Sequence, residues 1–97
     1  MAAFRARFLE RAAAESERLE KVLMTLRQGE NNTAATAEMT RLAHGLAGAG
    51  GTFGFPEVSV AAAEAENASL AQPLDAAALS ESGERLLAVL GKLSRSC

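Results

Sequence analysis

The stretch TAATAEMTRLAHGLAGAGGTFGFP, residues 33–56, decides the fold. Ala35, Met39, Leu42, Leu46 and Ala49 recur in it at alternating steps of four and three, the spacing of a helix that packs one seam against bundle neighbours. Asn32 or Thr33 can cap the start of this helix. The glycines Gly48, Gly50, Gly51 and Gly54 are expected to end it, and Pro56 suits the first turn of a following helix.

Similar patterns lie on both sides. Residues 3–27 carry Phe4, Phe8, Ala12, Leu19, Leu23 and Leu26 on one stripe, with Gly29 placed as a C-terminal residue. After Pro56 a narrower stripe of Val58, Ala62, Ala65 and Ser69 runs to about residue 70. Pro73 closes that segment, and Asp75 is a plausible N-cap for a helix that carries Leu79, Leu86, Leu90 and Leu93 to near Arg95, weakened locally by Gly83 and Gly91. With 22 Ala and 13 Leu in 97 residues and few β-branched side chains, an all-α fold is expected. Four helices of about 15 to 25 residues joined by short connections predict an up-down-up-down antiparallel four-helix bundle. It is read as one domain over residues 1–97, the alternative being a three-helix bundle with a loose first helix.

Composition narrows the function. Four Phe and no Tyr or Trp give a modest core in which a large substrate pocket is not expected. The net charge is -2 and residues 28–84 hold only Arg41 as a cation, which argues against nucleic-acid binding. Six of the ten basic residues precede Gln28 and alternate with Glu10, Glu15, Glu17 and Glu20, the pattern of a solvated helix face. Phe4, Phe8 and the nearby arginines superficially suggest a transit peptide, but Glu10 follows at once and the pattern continues into the domain. Charges interrupt every apolar run, so no membrane span is expected. Cys97 is the lone cysteine and stands last, which rules out an intrachain disulfide and points to a reducing, cytoplasmic setting.

His44 is the single histidine. At roughly 100° per residue it lies about 200° from both Leu42 and Leu46, opposite the buried seam, and should face solvent. An exposed helical histidine is often mere surface. Its neighbours Gly45, Ala47 and Gly48 leave it unshielded, however, and glycine inside a helix costs about 1 kcal/mol relative to alanine. Either another molecule approaches closely here, or Gly48, Gly50 and Gly51 simply fray the helix end. The glycine cluster fits neither a dinucleotide fingerprint nor a P-loop, since a helix precedes it and no Gly-Lys-Ser/Thr follows. One histidine without a second His or Cys at ligand spacing builds no metal site, and the chain is too small for a Ser-His-Asp or Cys-His machine with a formed cleft.

The run Ala43-His44-Gly45-Leu46-Ala47-Gly48, followed by Gly54, resembles the H-x-L-K-G…G signature of histidine-containing phosphotransfer (HPt) domains of two-component phosphorelays. The likeness extends loosely over residues 30–93 and is specific over residues 41–66. It implies a four-helix bundle with His44 exposed on the second helix as phosphoacceptor, a carrier and not an enzyme. Neutral imidazole is a good nucleophile, and its phosphoramidate keeps a high transfer potential. The implied partners are a response-regulator receiver domain, which supplies the phosphoaspartate and the Mg²⁺, and a hybrid histidine kinase. The chain itself needs no cofactor or nucleotide and is expected to be a monomer.

By the same resemblance Glu66, 22 positions after His44, corresponds to a residue that hydrogen-bonds the ring's other nitrogen; read as a residue alone, it is one of several solvated glutamates with Glu57 and Glu64. The docking face implied around the ring comprises Thr40, Arg41, Ala47, Gly48 and Gly51, with Phe53 and Phe55 as core plugs at the turn. One departure stands out: the family usually has Lys or Arg where this chain has Ala47. Arg41, on the same face, either compensates or is inert surface. Two rivals remain: a helical docking module of the same fold that is never phosphorylated, and a self-associating bundle that exchanges its fraying glycine end.

Overall fold

The computed structural model describes residues 2–28 and 33–95, with side chains for all of these except 2, 4, 94 and 95. Four helices follow one another: α1 (Ala2–Arg27), α2 (Thr33–Thr52), α3 (Pro56–Leu70) and α4 (Ala76–Arg95). Gly29, Asn32, Cys97 and the Phe4 side chain, all named above, lie outside the described residues.

The helices form a ring in which α1 packs on α2 and α4, and α3 packs on α2 and α4. Cross-helix pairs fix the directions of the first three helices. Along α2 and α3 the pairs are Ala47 with Ser59, His44 with Glu66 and Thr40 with Ser69, so one number falls as the other rises. Between α1 and α2 the sequence is Phe8 with Phe53, then Arg18 with Glu38, again antiparallel. These directions are those of an up-down-up-down order, and the bundle is 41 Å long, close to the length of α1 at about 1.5 Å per residue.

The core follows the seams. Phe8, Leu19 and Leu23 of α1, Met39 and Leu46 of α2, Val58 of α3, and Leu79, Leu86 and Leu90 of α4 are all less than 2% exposed. Each buried leucine contributes about 1.5–3 kcal/mol, which offsets the ordering of a small chain with few aromatics. Because α1 supplies three of these large side chains, it is an integral wall of the bundle, and the three-helix alternative fails.

At one end Phe8 stacks on Phe53 and Phe55, with ring centroids 5.5 and 5.1 Å apart, and the Arg5 guanidinium lies 5.0 Å above Phe55. The aromatics therefore plug the α2–α3 turn. Asp75 caps α4, its carboxylate accepting from Ala78 N–H at 3.1 Å.

α2 ends within the expected glycine cluster but without fraying: it runs unbroken through Gly48, Gly50 and Gly51 to Thr52. The stop is Gly54, whose φ of 84° only glycine adopts easily. Gly54 N–H donates to Gly51 O and Phe55 N–H to Gly50 O at 2.8 Å, the paired bonds of a Schellman cap. The frayed end needed for domain exchange is thus a closed helical turn. Gly50 is buried because α3 crosses there: a Cβ on it would sit 2.9 Å from the Ser59 backbone nitrogen. Gly83 does not weaken α4 for nothing either, since a Cβ would meet Leu23 and Met39 at 2.8 Å. Tertiary packing has overridden helix propensity at both positions.

Candidate functional site

His44 sits on α2 with 78% of its side chain exposed, opposite the core-facing Leu42 and Leu46. Glu66 reaches it from α3: His44 Nδ1 and Glu66 Oε2 are 2.8 Å apart. Gly48 and Gly51 follow one and two turns further along the same face of α2. Gly48, one turn beyond His44, is exposed, and a Cβ built there meets nothing within 4 Å. Gly51 is exposed too, and its nearest neighbour, Ser59 Oγ at 3.8 Å, would make only an ordinary contact with a Cβ. No packing demand inside the chain explains glycine at either position, in contrast to Gly50 one step away.

The hydrogen-bond chemistry fixes the ring. An ionised carboxylate only accepts, so Nδ1 donates in this contact, and in the neutral ring the lone pair is then on Nε2. With Nδ1 tied to α3, Nε2 is left on the exposed side of an oriented ring. A neutral, oriented imidazole with one free nitrogen can act as a nucleophile toward a group brought by another molecule.

The remaining predicted residues stand further back. Thr40 is half-buried, and its hydroxyl lies 2.7 Å from that of Ser69, which in turn donates to Glu66 O at 2.7 Å. Thr40 is therefore part of the α2–α3 seam that holds the Glu66 backbone, and its half-exposed side also borders an open groove. Ala47 is half-buried, and its carbonyl accepts from Ser59 Oγ at 2.6 Å. Arg41 is exposed but pairs with Glu38, one turn earlier on α2, and Glu38 also holds Arg18 of α1 at 3.0 Å. An open groove of about 450 Å³ borders Thr40 and Arg41, with the exposed Leu70 on its α3 side.

The Arg41 hydrogen bond holds the Glu38 carboxyl below its ordinary value, desolvation opposes this, and the charges of Arg41 and Arg18 add to the lowering. A carboxyl lowered in the folded chain stabilises the fold above its ordinary pKa and loses that contribution as pH falls through the lowered one. Glu38→Gln is accordingly expected to unfold at lower urea than the wild type near pH 7, with the gap closing on acidification. A gap independent of pH would show that the pair contributes nothing.

Sequence reading did not foresee the Ser59 bond to Ala47, the Arg18–Glu38–Arg41 link, or the contact of Arg11 with α2 at Gly45. All three depend on the register between helices. Among the described residues no group of three or more His, Cys, Asp or Glu side chains converges as a metal site would require.

No curated protein matches the chain, and no solved structure does. A family model does: the Hpt domain, over residues 3–95. With nearly the whole length matched, and the helical bundle and exposed histidine already described, the chain belongs to the Hpt domain family.

Proposed function

We propose that this chain is a phosphorelay carrier that accepts a phosphoryl group on His44 Nε2 from a receiver-domain aspartate and passes it to another. The class follows from the family, whose members are phosphotransfer carriers in two-component signalling and meet receiver domains and kinases. The observation that carries the residue assignment is the 2.8 Å contact between His44 Nδ1 and Glu66, which leaves Nε2 as the free nucleophile on an exposed ring.

In the forward step the Nε2 lone pair attacks phosphorus. The bond from phosphorus to the donor aspartate oxygen breaks, its electron pair leaves with the carboxylate, and an N–P bond forms. The Nδ1 proton stays in place, so the ring becomes cationic, and Glu66 offsets that charge. Little else is asked of the chain, since phosphoryl transfer is mostly positioning and electrostatics. The chain has no nucleotide step of its own in this scheme, and Mg²⁺ is expected on the receiver. Among the described residues no helix is long and apolar enough to cross a membrane; a cytoplasmic monomer is part of the proposal.

The experiment is transfer from a panel of phosphorylated receiver domains to the folded chain, with another Hpt domain as positive control. Acid-labile label on the chain supports the reading. Binding without label favours the docking module, a reading kept alive by Ala47 in place of the usual basic residue. Glu66→Ala is expected to slow transfer about ten- to a hundredfold, as losing an orienting partner does for other working histidines. The melting temperature should move little, because Glu66 lies outside the core. Transfer at the wild-type rate would remove Glu66 from the mechanism.

A further inference from the structure

A phosphoryl group on His44 carries about two negative charges, and the surface of α2 around the ring offers nothing to meet them. Ala47, Gly48 and Gly51 are uncharged. Arg41 is drawn to Glu38, which stands six residues before His44, toward the opposite end of α2. A cation does approach from another helix. The terminal nitrogen Nη2 of Arg11, on α1, lies so close to α2 that a Cβ on Gly45 would be 2.8 Å from it. Gly45 directly follows His44, so chain geometry places Nη2 within about 8 Å of the His44 Cα. That is about the screening length at physiological salt.

Glu66 holds the ring from α3, and Arg11 reaches α2 from α1 at Gly45, the residue next to His44. Arg11 is 44% exposed and bonds Glu15 through Nε at 3.3 Å, so its one ion pair among the described residues uses neither terminal nitrogen. Those nitrogens carry four of the five N–H donors of a guanidinium, in a fork that suits phosphoryl oxygens. Glycine at position 45 also gains a reason: a side chain there would push the guanidinium away from α2.

We propose that Arg11 is the positioning cation for the phosphoryl group at His44, supplied across the α1–α2 interface and not from the face of α2. This rests on His44 being the phosphoacceptor. During transfer Arg11 donates to the phosphoryl oxygens as the N–P bond forms and the bond to the leaving group breaks, and neither gains nor loses a proton.

The test uses inorganic phosphoramidate as donor, since a small molecule removes receiver docking from the readout. Its P–N bond breaks, ammonia leaves with the electron pair, and the phosphoryl group passes to Nε2. Wild type, Arg11→Gln, Arg11→Lys and His44→Gln are compared at low and high salt, with helicity checked by circular dichroism. Arg11→Gln is expected to slow labelling about tenfold, less than losing a donor from a buried oxyanion site, because the side chain is partly solvated. Arg11→Lys should restore part of the rate, since it keeps the charge without the fork, and the salt sensitivity of the wild type should be lost in Arg11→Gln. If the wild type is labelled on His44 and Arg11→Gln matches it, or if Arg11→Lys is as slow as Arg11→Gln, Arg11 has no such role. If the folded wild type takes no label from phosphoramidate or from any receiver, the phosphoacceptor reading falls first and this proposal with it.

Discussion

His44→Gln is expected to take no acid-labile phosphate from any receiver while keeping the bundle intact. The loss should be complete, because the described chain offers no second imidazole and the glutamine amide nitrogen has no basic lone pair. Stability should change by no more than about 0.5 kcal/mol, since the side chain is 78% exposed and glutamine can still donate to Glu66. Docking of receivers should survive as well, for the same small-residue surface remains around position 44. The outcome separates two functions that share one fold. Label on the wild type beside a variant that binds equally but carries none identifies a carrier, binding without label on either chain identifies a docking module, and label that persists on the variant would place the acceptor elsewhere.

Gly48→Gln should have opposite effects on folding and on transfer. Nothing lies within 4 Å of a Cβ at this position, so the substitution meets no internal clash. It exchanges glycine for a good helix former inside α2 and should stabilise by about 0.5–1 kcal/mol. In a domain of this size that raises the melting temperature by about 3–8 °C. The new side chain leans toward the N-terminal end of α2, over the turn that bears His44, and stands where a receiver must approach. Transfer from a receiver should fall about a hundredfold, and labelling by phosphoramidate much less. A stabilised variant with normal receiver transfer would mean that the open surface at Gly48 is not the docking face.

Much of the fold was legible because its seams are simple. The four-three spacing of Ala35, Met39, Leu42 and Leu46 marks the buried side of α2, and all four are buried. Pro56 and Leu70 bound α3 as expected, since proline at the first helical position and Pro73 beyond the end both act locally. The glycine cluster marks the end of α2, but local propensity alone does not show which glycine does what. Gly50 is set by the backbone of α3 pressing against it, and Gly54 alone carries the left-handed turn. The same limit applies to the site. That His44 faces outward follows from helix geometry, but the choice between Glu66 as ring partner and Glu66 as solvated surface could not be made until the antiparallel register of α2 and α3 brought the two within 2.8 Å. The bond between Thr40 and Ser69 depends on the same register. Arg11 was one of six basic residues ahead of Gln28, with nothing in its own helix to distinguish it from Arg7 or Arg18.

The central claim is that phosphoryl transfer occurs at one nitrogen of one ring. The most direct measurement is heteronuclear NMR of the ¹⁵N-labelled chain after transfer from a phosphorylated receiver, with phosphorus coupling used to assign the bonded ring nitrogen. The account predicts phosphorus on His44 Nε2, with Nδ1 still protonated and hydrogen-bonded to Glu66. Phosphorus on Nδ1, on any other side chain, or on no residue of a folded chain whose receivers do label a control Hpt domain would contradict it.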